Sequence, residues 1–504
     1  MKNVRAGRSG RSLLRALAVA MLAAAPTDAQ KTPSAEDSVR AIHLIRRTTF
    51  GIRPGDLTAV LERGRSAWLE RQLNPATIND SALDARLADL EVLSAPIMQL
   101  VETYGPRPRP SAQMDTGAMA APRAPRRPQS ILGELVTGKL MRSVHSERQL
   151  EEVMTDFWFN HFNVYFGKNL ARYMIADYER VAIRPHVFGR FEEMLIATAR
   201  HPAMLFYLDN WRSVAPERMP GRGLNENYAR ELLELHTMGV AGGYTQQDVV
   251  AVARALTGWT FVPLQARMRR PGLERGTFVF NAAGHDLHEK SILGTTLAAG
   301  RGIEDGQDVL RMLARHPSTA TFLATKLVER FVSDSPDPAF VAELAQVYLG
   351  TDGDLREVTR ALFTSPRFYD PRVRAAKVKT PFELVASALR ATSLEVKRPR
   401  ILMETLRALG HVPYNESAPT GFPAASEEWV NSGALLARMN FALELTASRA
   451  AELPDGSRET ILALLMPGIP TGNLAEAIDA EVARGGGSAR AIGLALGSPE
   501  FQRR

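Results

Sequence analysis

Asn225, Glu226, Asn227, Arg230, Glu231, Glu234 and His236 fall within twelve consecutive residues of the stretch NENYARELLELHTMG, Asn225–Gly239. Two carboxylates close to a guanidinium and an imidazole can exchange protons or ligate a metal. A helix capped by Asn225 and ended by Gly239 puts Asn227, Arg230, Glu231 and Glu234 on one polar face, at three- and four-residue spacing. Tyr228, Leu232 and Leu235 form the apolar face. His236 lies about 200° round from Glu234 and joins that cluster only if the helix unwinds first. In a functional reading Glu231 and Glu234 are an acid/base pair or metal ligands, with Arg230 setting their ionisation. In the structural reading the same groups are a buried ion network that fixes helix packing.

Three further sets of residues bear on that choice. His161 sits in FWFNHF with Asn160 and Asn163 beside it, where an imidazole is either packed into an aromatic core or delivered to a site. His285, Asp286 and His288 lie in a loop expected to display polar groups, with His285 and Asp286 folding back onto the central helix. Trp429 and Arg438 either line the same cleft or pack a late helix. The expected catalytic set is therefore Glu231, Glu234, Arg230, His161, His285 and Asp286, with Asn160, Asn227, Trp429 and Arg438 contacting substrate. The chain has no cysteine, so a divalent metal, a variant of this reading, would be held by His, Asp and Glu alone. No phosphate loop, dinucleotide fingerprint, Gly-x-Ser-x-Gly elbow or His-Glu-x-x-His sequence is present, and Gly239–Val250 lacks the alternating ligands of a calcium loop.

Most of the chain must be helical to position these groups. Apolar residues recur every three or four positions through Leu57–Leu73, Ile131–Met141, Leu150–Tyr165, Phe322–Val332, Phe382–Ala391 and Ser432–Leu445, among others. Thr245 with Asp248 forms a capping box, and Thr380-Pro381 puts proline in a first turn. Thr277–Phe280 and Ser291–Leu293 read as short strands of a hairpin excursion. A Ser/His-Pro-aromatic ending recurs in Ala361–Pro371, Gly493–Gln502 and Thr198–Asp209, as structural punctuation. The predicted fold is mainly α, a large multi-helix body with a small β-hairpin excursion near residues 277–294.

The N-terminus has the layout of an export signal. Lys2, Arg5, Arg8 and Arg11 precede a short apolar run, Leu13–Ala25, and Thr27 and Ala29 suit cleavage before Gln30. The run is too short to anchor the chain, and no later segment would span a bilayer. The net charge of +7 is concentrated in this leader and in Pro106–Gln129, which holds six prolines and five arginines and reads as a flexible loop. The remainder is near neutral, so a nucleic-acid surface is not supported. The chain divides into a signal peptide (1–29), an N-terminal helical part (30–105), the Pro/Arg-rich loop (106–129), a central helical core with the site (130–260), the hairpin excursion (261–300) and a C-terminal helical part (301–504).

FWFNHFNVYFGK at Phe157–Lys168, the run Leu224–Thr260, HDLHEKSILG at His285–Gly294, KTPFELVASALRAT at Lys379–Thr392 and the run Pro419–Phe441 occur together in this chain. With HLIRRTTFGIRPGDL at His43–Leu57 they resemble the landmarks of the bacterial family known as domain of unknown function 1800, over nearly the whole mature chain. In that family His285, Asp286, Lys290 and Gly294 are the more typical members of their segment. The resemblance implies a large, exported, mainly helical bacterial protein with a neighbouring exported partner similar to sulfatases and alkaline phosphatases. It carries over no activity and no catalytic residue. Two expectations follow: a hydrolase-like enzyme acting on an envelope or extracellular polymer such as a polysaccharide, or a non-catalytic helical scaffold for the phosphatase-like partner.

Overall fold

The computed structural model describes residues 34–106, 127–218, 221–266, 273–397, 399–468 and 471–504. The expected signal peptide and most of the Pro/Arg-rich segment lie outside them. The fold is mainly α, with two small antiparallel sheets of two strands each among the described residues. No helix among them is long and apolar enough to cross a membrane.

Local chemistry accounts for many element boundaries. Thr245 and Thr380 each close a capping box, with Asp248 and Glu383 respectively. The predicted helix Leu57–Leu73 is two helices, Asp56–Arg63 and Arg65–Gln72, because Gly64 breaks it at φ +84°, a conformation that costs glycine little. Each Ser/His-Pro ending starts a further short helix. His201, Ser365 and Ser498 accept a backbone N–H at the start of Pro202–Tyr207, Pro366–Tyr369 and Pro499–Gln502.

The two predicted strands exist but do not pair with one another. β1 (Trp259–Phe261) pairs with β2 (Phe278–Phe280), and β3 (Lys290–Ile292) pairs with β4 (Thr295–Leu297). Alternation along the chain identifies a strand and leaves its partner open. One continuous apolar core runs through the helices, with Trp158, Phe162, Phe191 and Trp259 among its largest buried members. A polar cavity opens beside this core, between helices Gln149–His161 and Pro317–Phe331.

Candidate functional site

Four segments wall a cavity of about 210 Å³. Helix Gln149–His161 contributes Asp156, Phe157, Asn160 and His161. Helix Pro317–Phe331 contributes Phe322, Lys326 and Arg330, one face at steps of four. The third wall is the turn carrying Glu234 and Leu235, and the fourth is the segment from His411 to Ala424, with Lys139 and Thr380 completing the lining.

The central helix departs from the expected single α-helix. The N-cap is Glu226, without a side-chain cap bond, instead of the expected Asn225, which lies one residue earlier and accepts the N–H of Asn227 at 2.9 Å; Gly239 follows the last turn at φ +78°. Between them Asn227–Glu231 is α-helical and Leu232–His236 is a π-helix. A π-turn adds a residue to the turn and is frequent at functional sites. His236 is buried here against Phe162, ring centroids 5.0 Å apart, and its carbonyl accepts the Nε2 proton of His161 at 3.0 Å. That bond leaves Nδ1 of His161 as an acceptor. Burial lowers both imidazoles to about 3, so each is neutral near pH 7.

Glu234 faces the cavity with 28% of its side chain exposed, and Arg230 lies 3.8 Å away. Arg230 is itself 40% exposed and bonds Glu226 at 3.2 Å and Gln246 at 3.0 Å. The stripe therefore borders solvent instead of forming a buried network. Burial, reinforced by the neighbouring Glu234 charge, raises the pKa of Glu231 on the adjoining turn. Burial and the nearby Glu234 charge raise Tyr244 to about 12.

Across the cavity Asp156 is gripped by Lys139 at 2.9 Å and Arg330 at 3.4 Å. Burial alone would raise its pKa, but these two cations bring it below the ordinary carboxylate value. Arg330 continues to Glu383 at 2.6 Å. His411, lowered to about 4 by burial, sits between the rings of Phe422 and Trp429, centroids 4.1 and 5.1 Å away. Its Nδ1 has no hydrogen-bond partner. Lys139, Asp156, Lys326, Arg330, His411 and Tyr244 are functional candidates that the sequence reading missed. Only the four-residue spacings Asp156–Asn160 and Lys326–Arg330 signalled any of them.

Several expected substrate contacts instead build the walls. Asn160 accepts the N–H of Phe422 at 2.8 Å and donates to its carbonyl at 2.9 Å. Asn163 donates to the carbonyls of Glu416 and Ala418, so the two amides pin the His411–Ala424 segment. Gly421, at φ +71°, has no room for a side chain, since a Cβ would sit 2.4 Å from the Asn160 carbonyl oxygen. Trp429 donates to the Pro423 carbonyl from outside the lining, and Asn227 donates to the Leu208 carbonyl at 3.2 Å. Arg438 is buried far along the chain against Gln502.

His285 and Asp286 do not reach the cavity, contrary to the expected convergence on the acidic stripe. They fold against the end of helix Gln246–Ala255. His285, fully buried, donates from Nδ1 to the Thr257 carbonyl at 2.8 Å, and Asp286 takes a two-pronged contact from Arg254 at 2.7 and 3.1 Å. Lys290 and Asp305 complete this cluster, 2.8 Å apart and both buried. Burial of the imidazole beside these charges holds the segment in place and leaves no path to Glu234. Among the described residues no three His, Asp or Glu side chains are grouped to hold a metal ion.

Neither a curated protein nor a solved structure matches the chain. A family model described as "Protein of unknown function (DUF1800)" matches residues 43–503, and the protein belongs to that family.

Proposed function

We propose that the protein is an exported bacterial hydrolase-like enzyme that takes a segment of an envelope or extracellular polymer into the cavity beside Glu234. The observation that carries this reading is the lining itself. Carboxylate, ammonium, amide and imidazole groups converge there between the rings of Phe157, Phe159, Phe322, Phe422 and Tyr414. Aromatic faces bind the apolar faces of sugar rings, and the polar groups fix orientation. In this reading Glu234 takes a proton from the attacking water. Glu231, its pKa raised, gives a proton to the leaving oxygen, as two carboxylates of unequal environment do in glycoside cleavage. Lys326 and Lys139 donate hydrogen bonds to polar groups of the polymer.

A second reading, a scaffold for an exported phosphatase- or sulfatase-like partner, draws support from a different surface. Leu435, Leu436 and Met439 on helix Ser432–Ser448 are 40%, 60% and 47% exposed, with Val430 beside them. Apolar patches of this kind suit protein contacts.

Glu234→Gln separates the two. The substitution is expected to abolish release of reducing ends from cell-wall polysaccharide while leaving Tm within about 1 °C, because an exposed pair contributes little. A loss of about 2 kcal/mol or more in stability, with polymer binding intact and no turnover in either form, would reject the enzyme reading.

A further inference from the structure

A second, smaller cavity of about 20 Å³ lies on the far side of Glu383, lined by Arg46, Lys379, Glu383, Arg504 and Phe501 among others. Its surroundings hold more positive charge than the fold neutralises. Arg47 is fully buried, and Arg438, Arg504 and Lys379 are 1%, 3% and 8% exposed. The carboxylate of Glu383 serves Arg504 at 2.8 Å and Arg330 at 2.6 Å. Arg46, Arg47, Lys379 and Arg438 have no side-chain carboxylate within 4.0 Å among the described residues.

Arg47 Nη2 donates to the Val373 carbonyl at 2.8 Å and Arg438 Nη1 to Gln502 at 3.3 Å, but other donors of the cluster are idle. Nε and Nη1 of Arg47, Nε and Nη2 of Arg438 and Nε of Arg504 are buried without a hydrogen-bond partner. The ammonium of Lys379 rests on the Phe501 ring, 3.7 Å from its centre. Burial, with the charge of neighbouring arginines, pushes Arg47 and Lys379 well below their ordinary values. An unpaired buried cation costs several kcal/mol; Lys379 and Arg504, whose Nε has no partner, line the cavity with Arg46, while Arg47 and Arg438 add charge from behind its lining.

We infer that this cavity is a halide site, in which one chloride accepts from Lys379 and the surrounding guanidinium groups and neutralises the cluster. About 20 Å³ exceeds what a single water needs and admits a monatomic anion. Glu383 separates this site from the larger cavity, whose lining it meets through Arg330 and Thr380.

The test uses the full chain in halide-free gluconate buffer, with chloride or bromide added at constant ionic strength. Tm is expected to rise with either halide without levelling off, each tenfold increase above the dissociation constant adding about 1.4 kcal/mol. Lys379→Met and Arg46→Leu, both in the lining, should flatten that dependence, and crystals soaked in bromide should show one anomalous peak beside the Lys379 ammonium. Should the variants fail to fold, the bromide peak and the wild-type titration decide alone. Equal Tm in gluconate and chloride with no bromide peak overturns the inference, as does stabilisation by phosphate but not by bromide.

Discussion

Asp305→Asn tests whether the His285–Asp286 segment is held as structure. Asp305 is fully buried and accepts Lys290 Nζ at 2.8 Å. Arg301 Nε lies 2.7 Å from its other oxygen, an ion pair not aligned as a hydrogen bond, and His285 Nε2 lies 3.4 Å away. Without the carboxylate charge, Lys290, itself 1% exposed, keeps the carbonyls of Asp286 and His288 at 2.7 and 2.9 Å and the Asp286 carboxylate at 3.7 Å. Removing one partner of a buried pair costs about 3–5 kcal/mol. An unfolding entropy of about 2.1 cal/mol/K per residue over roughly 450 residues is ~1 kcal/mol/K, so Tm should fall by about 3–5 °C. Lys290→Met should cost less, about 1–3 kcal/mol, since Asp305 keeps Arg301. The double variant should lose about 1–3 kcal/mol less than the sum, because the two residues share one contact. Calorimetry and urea midpoints on the four proteins measure all of this. A loss below about 1 kcal/mol for Asp305→Asn would refute the idea that buried charge holds the segment, and would reopen His285 and Asp286 as functional groups.

Acid should destabilise the protein well above the range in which carboxylates titrate. His43, His161 and His236 are lowered to about 3 and His411 to about 4, so stability is lost as pH falls below 6.5, where the unfolded chain takes up protons and the folded one does not. Each contributes about 2 kcal/mol of that loss at pH 5, roughly 6–8 kcal/mol together. A pH series of urea midpoints checks it, and His43→Gln should remove about a quarter of the fall. Gly421→Ala should cost about 2–4 kcal/mol, from a left-handed backbone and a clash with Asn160, and should weaken ligand binding in the larger cavity more than Asn431→Ala at a helix cap outside it. Binding is read by titration with oligosaccharides, and equal losses in both variants would contradict the wall-building role of Gly421.

The helical body was readable because apolar spacing and caps are local signals. Thr245 with Asp248 and Thr380 with Glu383 announce their helices from four consecutive residues. Glu234 and His161 stood out because polar groups interrupted strongly apolar helices, and both border the same cavity. The four-residue spacing of Lys326 and Arg330 was only a weak signal, since a charged stripe of that kind is what any surface helix carries. His411 acquires its meaning from Phe422 and Trp429, which no short-range pattern connects to it. The π-turn at Leu232–His236 was hidden for a related reason: His161, 75 positions earlier, receives the carbonyl that the turn presents. His285 and Asp286 were misplaced because a loop full of polar residues looks solvent-facing, whereas Arg254, Lys290 and Asp305 draw it inside.

The fastening of Phe422 and Ala418 to Asn160 and Asn163 spans more than 250 positions of chain. During synthesis the ribosome releases the Asn160 region long before the piece that closes over it, so the larger cavity is born unfinished. Such distant pairings form late and slowly. A nascent or truncated polypeptide ending before residue 411 would leave the aromatic surfaces of the cavity bare and Glu234 without the His411–Ala424 wall.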